Sequence, residues 1–192
     1  MINNINSLKI SYPWLWEDNL DMIVHNDFDG LLSAYLLHHF NNWNIIGFYD
    51  LKNIWYSKHK NIDDLHNAIW VDLDISKPYV RSIGHHILKL NNNQQAPYLK
   101  HSLNPNLIRN VTQLNFGTKY PMGTCHLIIA LNDIKIKNNG LSKYLFWHPD
   151  SSWINGQNHR FFKNVNYWIN SFLQIPLLGR APELLNRYSE CQ

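Results

Sequence analysis

Apolar and polar residues follow one another along this chain in blocks of two lengths. Short apolar runs predict buried strands at 22–24, 45–49, 68–71 and 80–83. Longer segments predict helices at 31–40, 122–131, 158–173 and 181–188, and segment 141–147 fits a helix or a partly extended chain. Strands that alternate with helices favour an α/β fold, with a mainly parallel sheet flanked by helices.

Three further segments of the chain differ from these blocks in their sequence pattern: the N-terminal residues, a loop near the middle and the C-terminal residues. Residues 1–20 predict an N-terminal arm with a short helix interrupted by Pro13, and 97–121 is loop-like. Residues 153–192 predict a helical extension. No internal repeat or change of composition separates two units, so we expect one domain spanning 1–192.

Three ionisable residues lie between the first strand and the first long helix. His25, Asp27 and Asp29 occupy alternating positions, so they point the same way if the chain leaves the strand extended, and Gly30 then lets it turn into the helix. A polar turn with Asp29 capping the helix would explain one of them. Three in five positions favour a metal site, with Mn²⁺ or Mg²⁺ ahead of Zn²⁺ or Fe²⁺.

Further candidate ligands follow other predicted strands or break a later segment. They are Asp72 with Asp74, His85 with His86, and Asp150. The carboxyl ends of strands in an open α/β sheet meet at one edge, where such folds bind their ligands. Two cations about 3.5–4 Å apart need this number of ligands, because carboxylates must bridge and neutralise them.

Composition narrows the classes of function. The chain has 17 Lys and Arg against 14 Asp and Glu, a net charge of +3, so no strong basic field argues for unspecific nucleic-acid binding. Its two cysteines form no CxxC pair, which excludes a disulfide framework or zinc finger. Without a basic-then-apolar leader or an apolar run of about 18 residues, we expect a soluble, cytoplasmic protein with no membrane association.

The order of these motifs resembles the DHH phosphoesterase superfamily, which includes RecJ-type exonucleases, nanoRNases, cyclic-dinucleotide phosphodiesterases and family II pyrophosphatases. His25-x-Asp27-x-Asp29-Gly30 resembles the first motif, Val71-Asp72 the second, Gly84-His85-His86 the third and Asp150-Ser151-Ser152 the fourth.

The resemblance implies a role for each matching residue. His25 and Asp27 would hold one Mn²⁺, Asp29, His85 and Asp150 the other, and Asp72 would bridge them, while Mg²⁺ is the alternative metal. His86 would face the scissile phosphate, which a water activated by the two metals attacks. Arg109 and Lys119 are candidates for further phosphate contacts.

The chain also departs from the family pattern. Gly84 stands where the third motif has its first Asp, and the short spacing from Asp72 to His85 leaves either Asp72 or Asp74 as the bridging ligand. We favour Asp72, because it directly follows the apolar strand. Only about forty residues follow Asp150, so we expect this chain to lack the C-terminal domain that grips substrate in nanoRNases and pyrophosphatases.

These features predict three functions in order of preference. The first is a metal-dependent phosphoesterase that hydrolyses phosphodiester bonds in short or single-stranded nucleic acid or in nucleotides. The second is a weak or inactive DHH-like module that binds nucleic acid or a protein partner. The third is a small-molecule pyrophosphatase or phosphatase.

Overall fold

A six-stranded sheet forms the centre of the protein. The computed structural model describes residues 5–94, 101–137, 139–152 and 161–175. The strands are β1 (Asp21–His25), β2 (Asn44–Tyr49), β3 (Ile54–Tyr56), β4 (Ile69–Val71), β5 (Arg81–Ile83) and β6 (Ser102–Leu103), in the spatial order β3-β2-β1-β4-β5-β6. All neighbours are parallel except β3, which pairs antiparallel with β2. The predicted α/β class with a mainly parallel sheet is confirmed.

Helices surround this sheet. They are α1 (Ile5–Ser11), α2 (Phe28–Asn41), α3 (Ile62–Asn67), α4 (Pro105–Ile108), α5 (Thr124–Leu131), α6 (Gly140–Trp147) and α7 (Phe162–Asn166). Short 3-10 helices span Pro13–Trp16, Gln113–Thr118 and Pro149–Ser151, and α7 continues as a π-helix over Tyr167–Leu173. Among the described helices, none combines the length and the apolar character that a membrane crossing requires.

One large apolar core connects the sheet with α2 and α5. Met22, Ile23 and Val24 of β1 have no solvent exposure, which agrees with a central strand covered on both faces. Helix α5 is buried on nearly all sides, as its continuous apolar sequence indicates. Full burial of each such aliphatic side chain contributes about 1.5–3 kcal/mol to the stability of the fold. The core therefore holds β1 and α5 in place, and with them the polar residues next to these elements in the chain.

Most predicted elements are present with shifted ends, and several short ones were missed. The connection after β2 contains β3 and α3, and the predicted loop 97–121 contains β6, α4 and a 3-10 helix. Asn61 and Asp64 form a capping box at α3, a signal that was visible in the sequence. Strand β3 consists of the strand-favouring residues Ile54, Trp55 and Tyr56, but it is only three residues long and exposed at the sheet edge, so no buried apolar run or alternation marked it.

The structure describes the two ends of the chain only in part. The N-terminal arm does hold a short helix, α1, followed by the 3-10 helix that begins at Pro13, and Trp14 and Leu15 are buried. The helix predicted at 158–173 runs from Phe162 within the described residues. The predicted helix at 181–188 and most of the predicted extension 153–192 lie outside them.

Candidate metal centre

The candidate ligands meet where the direction of the sheet reverses. From β1 the chain adds β2 on one side and later β4 on the other, so the carboxyl ends of β1 and β4 border a crevice. Open α/β sheets bind ligands at such a switch point. His25 ends β1, and Asp72 directly follows β4, which brings them together across this crevice.

A first group of potential ligand atoms consists of His25, Asp27 and Asp72. His25 Nδ1 lies 2.9 Å from Asp27 Oδ2 and 3.5 Å from Asp72 Oδ2. Neither contact has the geometry of a hydrogen bond, and both His25 Nδ1 and Asp72 Oδ2 are buried without a hydrogen-bond partner. Buried polar atoms are rarely left unsatisfied, so these two atoms fit a cation better than they fit each other.

A second group consists of Asp72, His85, His86 and Asp150. Asp72 Oδ1 lies 3.1 Å from His86 Nε2 and 3.8 Å from His85 Nδ1, and His85 Nε2 lies 2.6 Å from Asp150 Oδ2. Asp72 therefore belongs to both groups, and each of its carboxylate oxygens faces a different one.

Thr124, at the start of α5, is hydrogen-bonded to both Asp72 and His85. The sequence analysis did not identify this residue. Its hydroxyl donates to Asp72 Oδ1 at 2.7 Å, so at its 3.0 Å contact with His85 Nδ1 it acts as the acceptor. The proton of a neutral His85 then lies on Nδ1, and the lone pair of Nε2 faces Asp150. A proton or a cation must lie near these two electron-rich atoms to hold them 2.6 Å apart.

Asp29 lies apart from both groups. Its two carboxylate oxygens accept the backbone N–H groups of Thr124 and Cys125, at 2.5 and 2.9 Å. A Cβ at Gly123 would lie 2.7 Å from this carboxylate, so glycine permits the close approach. Asp29 fixes the N-terminus of α5, with Thr124, against α2, and the structure brings it into neither ligand group.

Asp27 takes the capping role that one interpretation of the sequence gave to Asp29. Its Oδ1 accepts the N–H of Gly30 at 2.8 Å as the N-cap of α2. Gly30 lies in the first turn of α2 and has no left-handed backbone. It is needed because a Cβ there would lie 2.2 Å from the carbonyl oxygen of His25.

Asp74 supports the histidine pair from behind rather than joining the ligand groups. Its carboxylate accepts the N–H groups of His86 and Ile87, at 2.6 and 3.1 Å, and the side-chain amide of Asn104 at 2.6 Å. The same carboxylate would meet a Cβ at Gly84 at 2.8 Å. Of the two alternatives for a shared carboxylate, the geometry favours Asp72.

The two basic candidates have separate surroundings. Lys119 lines a cavity of about 330 Å³ together with His85, His86 and Asp150. Arg109 instead stacks on Tyr167 and Trp168, with its guanidinium carbon 4.2 and 4.9 Å from their ring centroids. That placement gives Arg109 a packing role and keeps it out of this cavity's lining.

The charges of the centre are strongly coupled. Burial raises the pKa of Asp29 well above its usual value, and the charges of Asp72 and Asp150 act in the same direction. Burial also acts to raise the pKa of Asp72, but its contacts with His86 and His85 outweigh this and lower it. The hydrogen bond to Asp72 raises the pKa of His86 to about 9.

The donor set suits divalent metal ions. It combines imidazole nitrogens with carboxylate oxygens and contains no thiolate, and its unsatisfied atoms are buried. His25, Asp27 and Asp72 are placed so that they could hold one ion, and Asp72, His85, His86 and Asp150 so that they could hold another.

Comparisons of this chain with protein-family models, with curated proteins and with solved structures found no significant match. Its function must therefore be argued from the centre itself.

Proposed function

We propose that this protein is a Mn²⁺-dependent phosphoesterase of the DHH type, which hydrolyses phosphodiester bonds in short or single-stranded nucleic acid or in nucleotides. The observation that carries the proposal is the position of Asp72, whose two oxygens belong to different ligand groups. A carboxylate shared in this way is what a pair of nearby cations requires. Mg²⁺ is the alternative metal.

When bound, two divalent cations would lower the pKa of a water molecule and offset negative charge on phosphoryl oxygens. The residues of the chain would orient these partners. Asp72 is held by Thr124 and His86, so its oxygens are fixed before substrate arrives. His86 and Lys119 line the open side of the centre, where they would hold the phosphate.

The absence of an Asp at position 84 does not count against this activity. Asp74 places its carboxylate beside Gly84 and binds the backbone of His86. It therefore supplies, from another strand end, a carboxylate next to the histidine pair. We propose that Asp74 keeps His85 and His86 in their working positions.

A calorimetric Mn²⁺ titration of metal-stripped protein tests the shared ligand. We expect two sites in the wild type, both weakened at least tenfold by Asp72→Asn. Asp27→Asn retains a good helix cap and should weaken one site only. Asp133→Asn, which changes an exposed carboxylate (84% exposed) outside both groups, is the control and should leave both sites intact.

Hydrolysis of a short single-stranded oligonucleotide in Mn²⁺ tests the reaction. The wild type and Asp133→Asn should cleave it, and Asp72→Asn should not. Fewer than two metal sites, or cleavage that survives Asp72→Asn, would overturn the proposal. Metal binding without cleavage of oligonucleotides, cyclic dinucleotides or pyrophosphate would favour a nucleic-acid-binding module instead.

A further inference from the structure

A second cavity adjoins the candidate metal centre. It has a volume of about 140 Å³ and is lined by Phe116, Lys119, Tyr120, Pro121, Phe161 and Asn164, with Gly117 between them. Lys119, Tyr120 and Pro121 also line the cavity of about 330 Å³ that contains His85, His86 and Asp150. Together the two volumes fall in the range of about 300–1,000 Å³ that is usual for small-molecule sites.

The two cavities differ in chemical character. The carboxylate of Asp150 and the imidazoles of His85 and His86 line the first, whereas the second has two phenylalanine rings, Phe116 and Phe161. Phe116 is 51% exposed, so one part of its ring is open to a ligand. Lys119 lies at the boundary, with its Nζ 5.8 Å from the centroid of Phe116. A cation thus separates an aromatic surface from a site suited to phosphate.

The wall shared by the cavities is held rigidly. The Asn106 side chain accepts the N–H of Tyr120 and donates to the carbonyl of His85, both at 2.7 Å. The Tyr120 ring packs edge-on against His85, with centroids 5.6 Å apart. Asn106 and Tyr120 therefore fix the distance between the second cavity and the metal ligand His85.

Helix α7 holds the outer side of the second cavity. The amide of Asn164 donates to the carbonyl of Lys119 at 2.7 Å. Just beyond α7, Trp168 Nε1 donates to the carbonyl of Thr118 at 3.3 Å. The segment from Phe116 to Pro121 is consequently tied to α7 on one side and to the centre on the other.

We propose that the second cavity is a nucleobase subsite, and that it stacks the base of the nucleotide whose phosphate lies at the metal centre. This inference rests on the proposed function. Phe116 provides the stacking surface for the base. Lys119, which lies between the two cavities, contacts the phosphate that is attached to the sugar. Aromatic stacking accepts any base, so the subsite selects nucleotides over simple phosphate esters without reading sequence.

Calorimetric binding to Mn²⁺-saturated protein tests this subsite with two probes, adenosine 5′-monophosphate and ribose 5-phosphate. The probes share sugar and phosphate, and only the first has a base. We expect adenosine 5′-monophosphate to bind about tenfold more tightly. Phe116→Ala should remove this preference and leave ribose 5-phosphate binding unchanged, whereas Phe116→Tyr should restore the preference.

Leu114→Ala is the matched control. Leu114 belongs to the same 3-10 helix as Phe116 and is 83% exposed, but does not line the cavity. Its variant should keep the full preference for the nucleotide. Equal binding of the two probes, a preference that survives Phe116→Ala, or no binding of adenosine 5′-monophosphate would overturn the subsite.

The two proposals fail in different experiments. Loss of the subsite leaves Mn²⁺ binding, its dependence on Asp72 and oligonucleotide cleavage as proposed. Failure of the phosphoesterase proposal appears instead in the Mn²⁺ titration and the cleavage assay. In that case a preference for the nucleotide that depends on Phe116 would still identify a base-binding cavity.

Discussion

Asp72 shows how one residue can be forced into an unfavourable conformation by its position. Its φ angle of 59° is left-handed, which costs a residue other than glycine roughly 1–2 kcal/mol, although Asp tolerates it better than most. The turn at the end of β4 leaves its carboxylate 1% exposed, between both ligand groups. A strained, buried carboxylate with one unsatisfied oxygen is typical of a binding site.

The close approach of Gly84 and Asp74 can be tested by a substitution that adds one methyl group. In Gly84→Ala the new Cβ would meet the Asp74 carboxylate at 2.8 Å and push it from the N–H groups that it accepts. We expect the free energy of unfolding to fall by about 1–3 kcal/mol in urea denaturation. Mn²⁺ binding should weaken too, because the backbone of His86 loses its support.

Gly117→Ala provides the control for this substitution. A Cβ at Gly117 has no atom within 4 Å, so the same chemical change meets open space. Its effect on unfolding should stay within about 0.5 kcal/mol. A Gly84→Ala protein as stable as Gly117→Ala would contradict the described contact between Gly84 and Asp74.

At the scale of elements, the change from strand to helix gives the three ionisable residues of the first motif different positions. Strand β1 ends at His25, the chain bends at Asn26 and Asp27 although Asp27 itself is extended (ψ −177°), and α2 begins at Phe28. His25 and Asp27, on either side of this bend, both belong to the first ligand group. Asp29 already follows the helical period, which turns it toward α5.

Helix α5 is connected through His126 to α6, which leads to Asp150. The N–H of Gly123 donates to His126 Nδ1 at 3.0 Å, and Nε2 is hydrogen-bonded to the carbonyl of Phe146 in α6. This pattern needs a neutral imidazole with its proton on Nε2. Burial lowers the pKa of His126 to about 4, and the nearby charge of His85 acts in the same direction.

We expect this histidine to destabilise the fold in acid. Below about pH 6.5 the unfolded state binds a proton that His126 in the folded state takes up only near pH 4. Between these values the free energy of unfolding should fall by up to about 1.4 kcal/mol per pH unit. Urea denaturation across this range measures it.

His126→Gln is the comparison, because glutamine keeps a donor and an acceptor but does not titrate. The other ionisable groups are the same in both proteins and contribute to both profiles alike. The difference between the two pH profiles thus isolates His126. Parallel profiles for the two proteins would show that His126 is not the source of the acid sensitivity.

For the whole molecule, the centre joins parts of the chain that are far apart in sequence. Its ligands follow β1, β4, β5 and α6, and Thr124 adds the start of α5. A metal bound only by the folded arrangement must stabilise the entire fold through mass action. Saturation at 100 times the dissociation constant contributes about 2.7 kcal/mol.

Thermal unfolding of metal-stripped protein should therefore respond to Mn²⁺. We expect the midpoint to rise by about 5–10 °C at that saturation and to return when a chelator is added. Asp72→Asn should show a small rise at most, since it removes the carboxylate that both groups share. A midpoint that does not respond to Mn²⁺ in the wild type would argue against metal ligation by these residues.

The sequence by itself determined the central strands of the sheet and the edge at which most of the candidate ligands lie. Apolar runs long enough for strands or helices specify those elements locally, so β1, β2, β4, α2 and α5 were predictable from their own residues. Because parallel strands end at one edge, His25, Asp27, Asp72, His85 and His86 were also expected to meet there, whereas Asp150 follows α6 and was a candidate through its resemblance to the fourth motif.

Only the tertiary structure decided how these residues divide their roles. Asp29, Asp72 and Asp74 were all candidate ligands at the same edge, yet Asp29 is bound by the start of α5, Asp72 lies between two ligand groups, and Asp74 supports the histidine pair. Thr124 and Phe116 lie in segments that contain no recognisable motif. Arg109 packs on aromatic rings and not at the candidate metal centre. The physical reason is that the role of a polar side chain depends on which partners the packed core brings within hydrogen-bonding distance, and those partners come from distant parts of the chain.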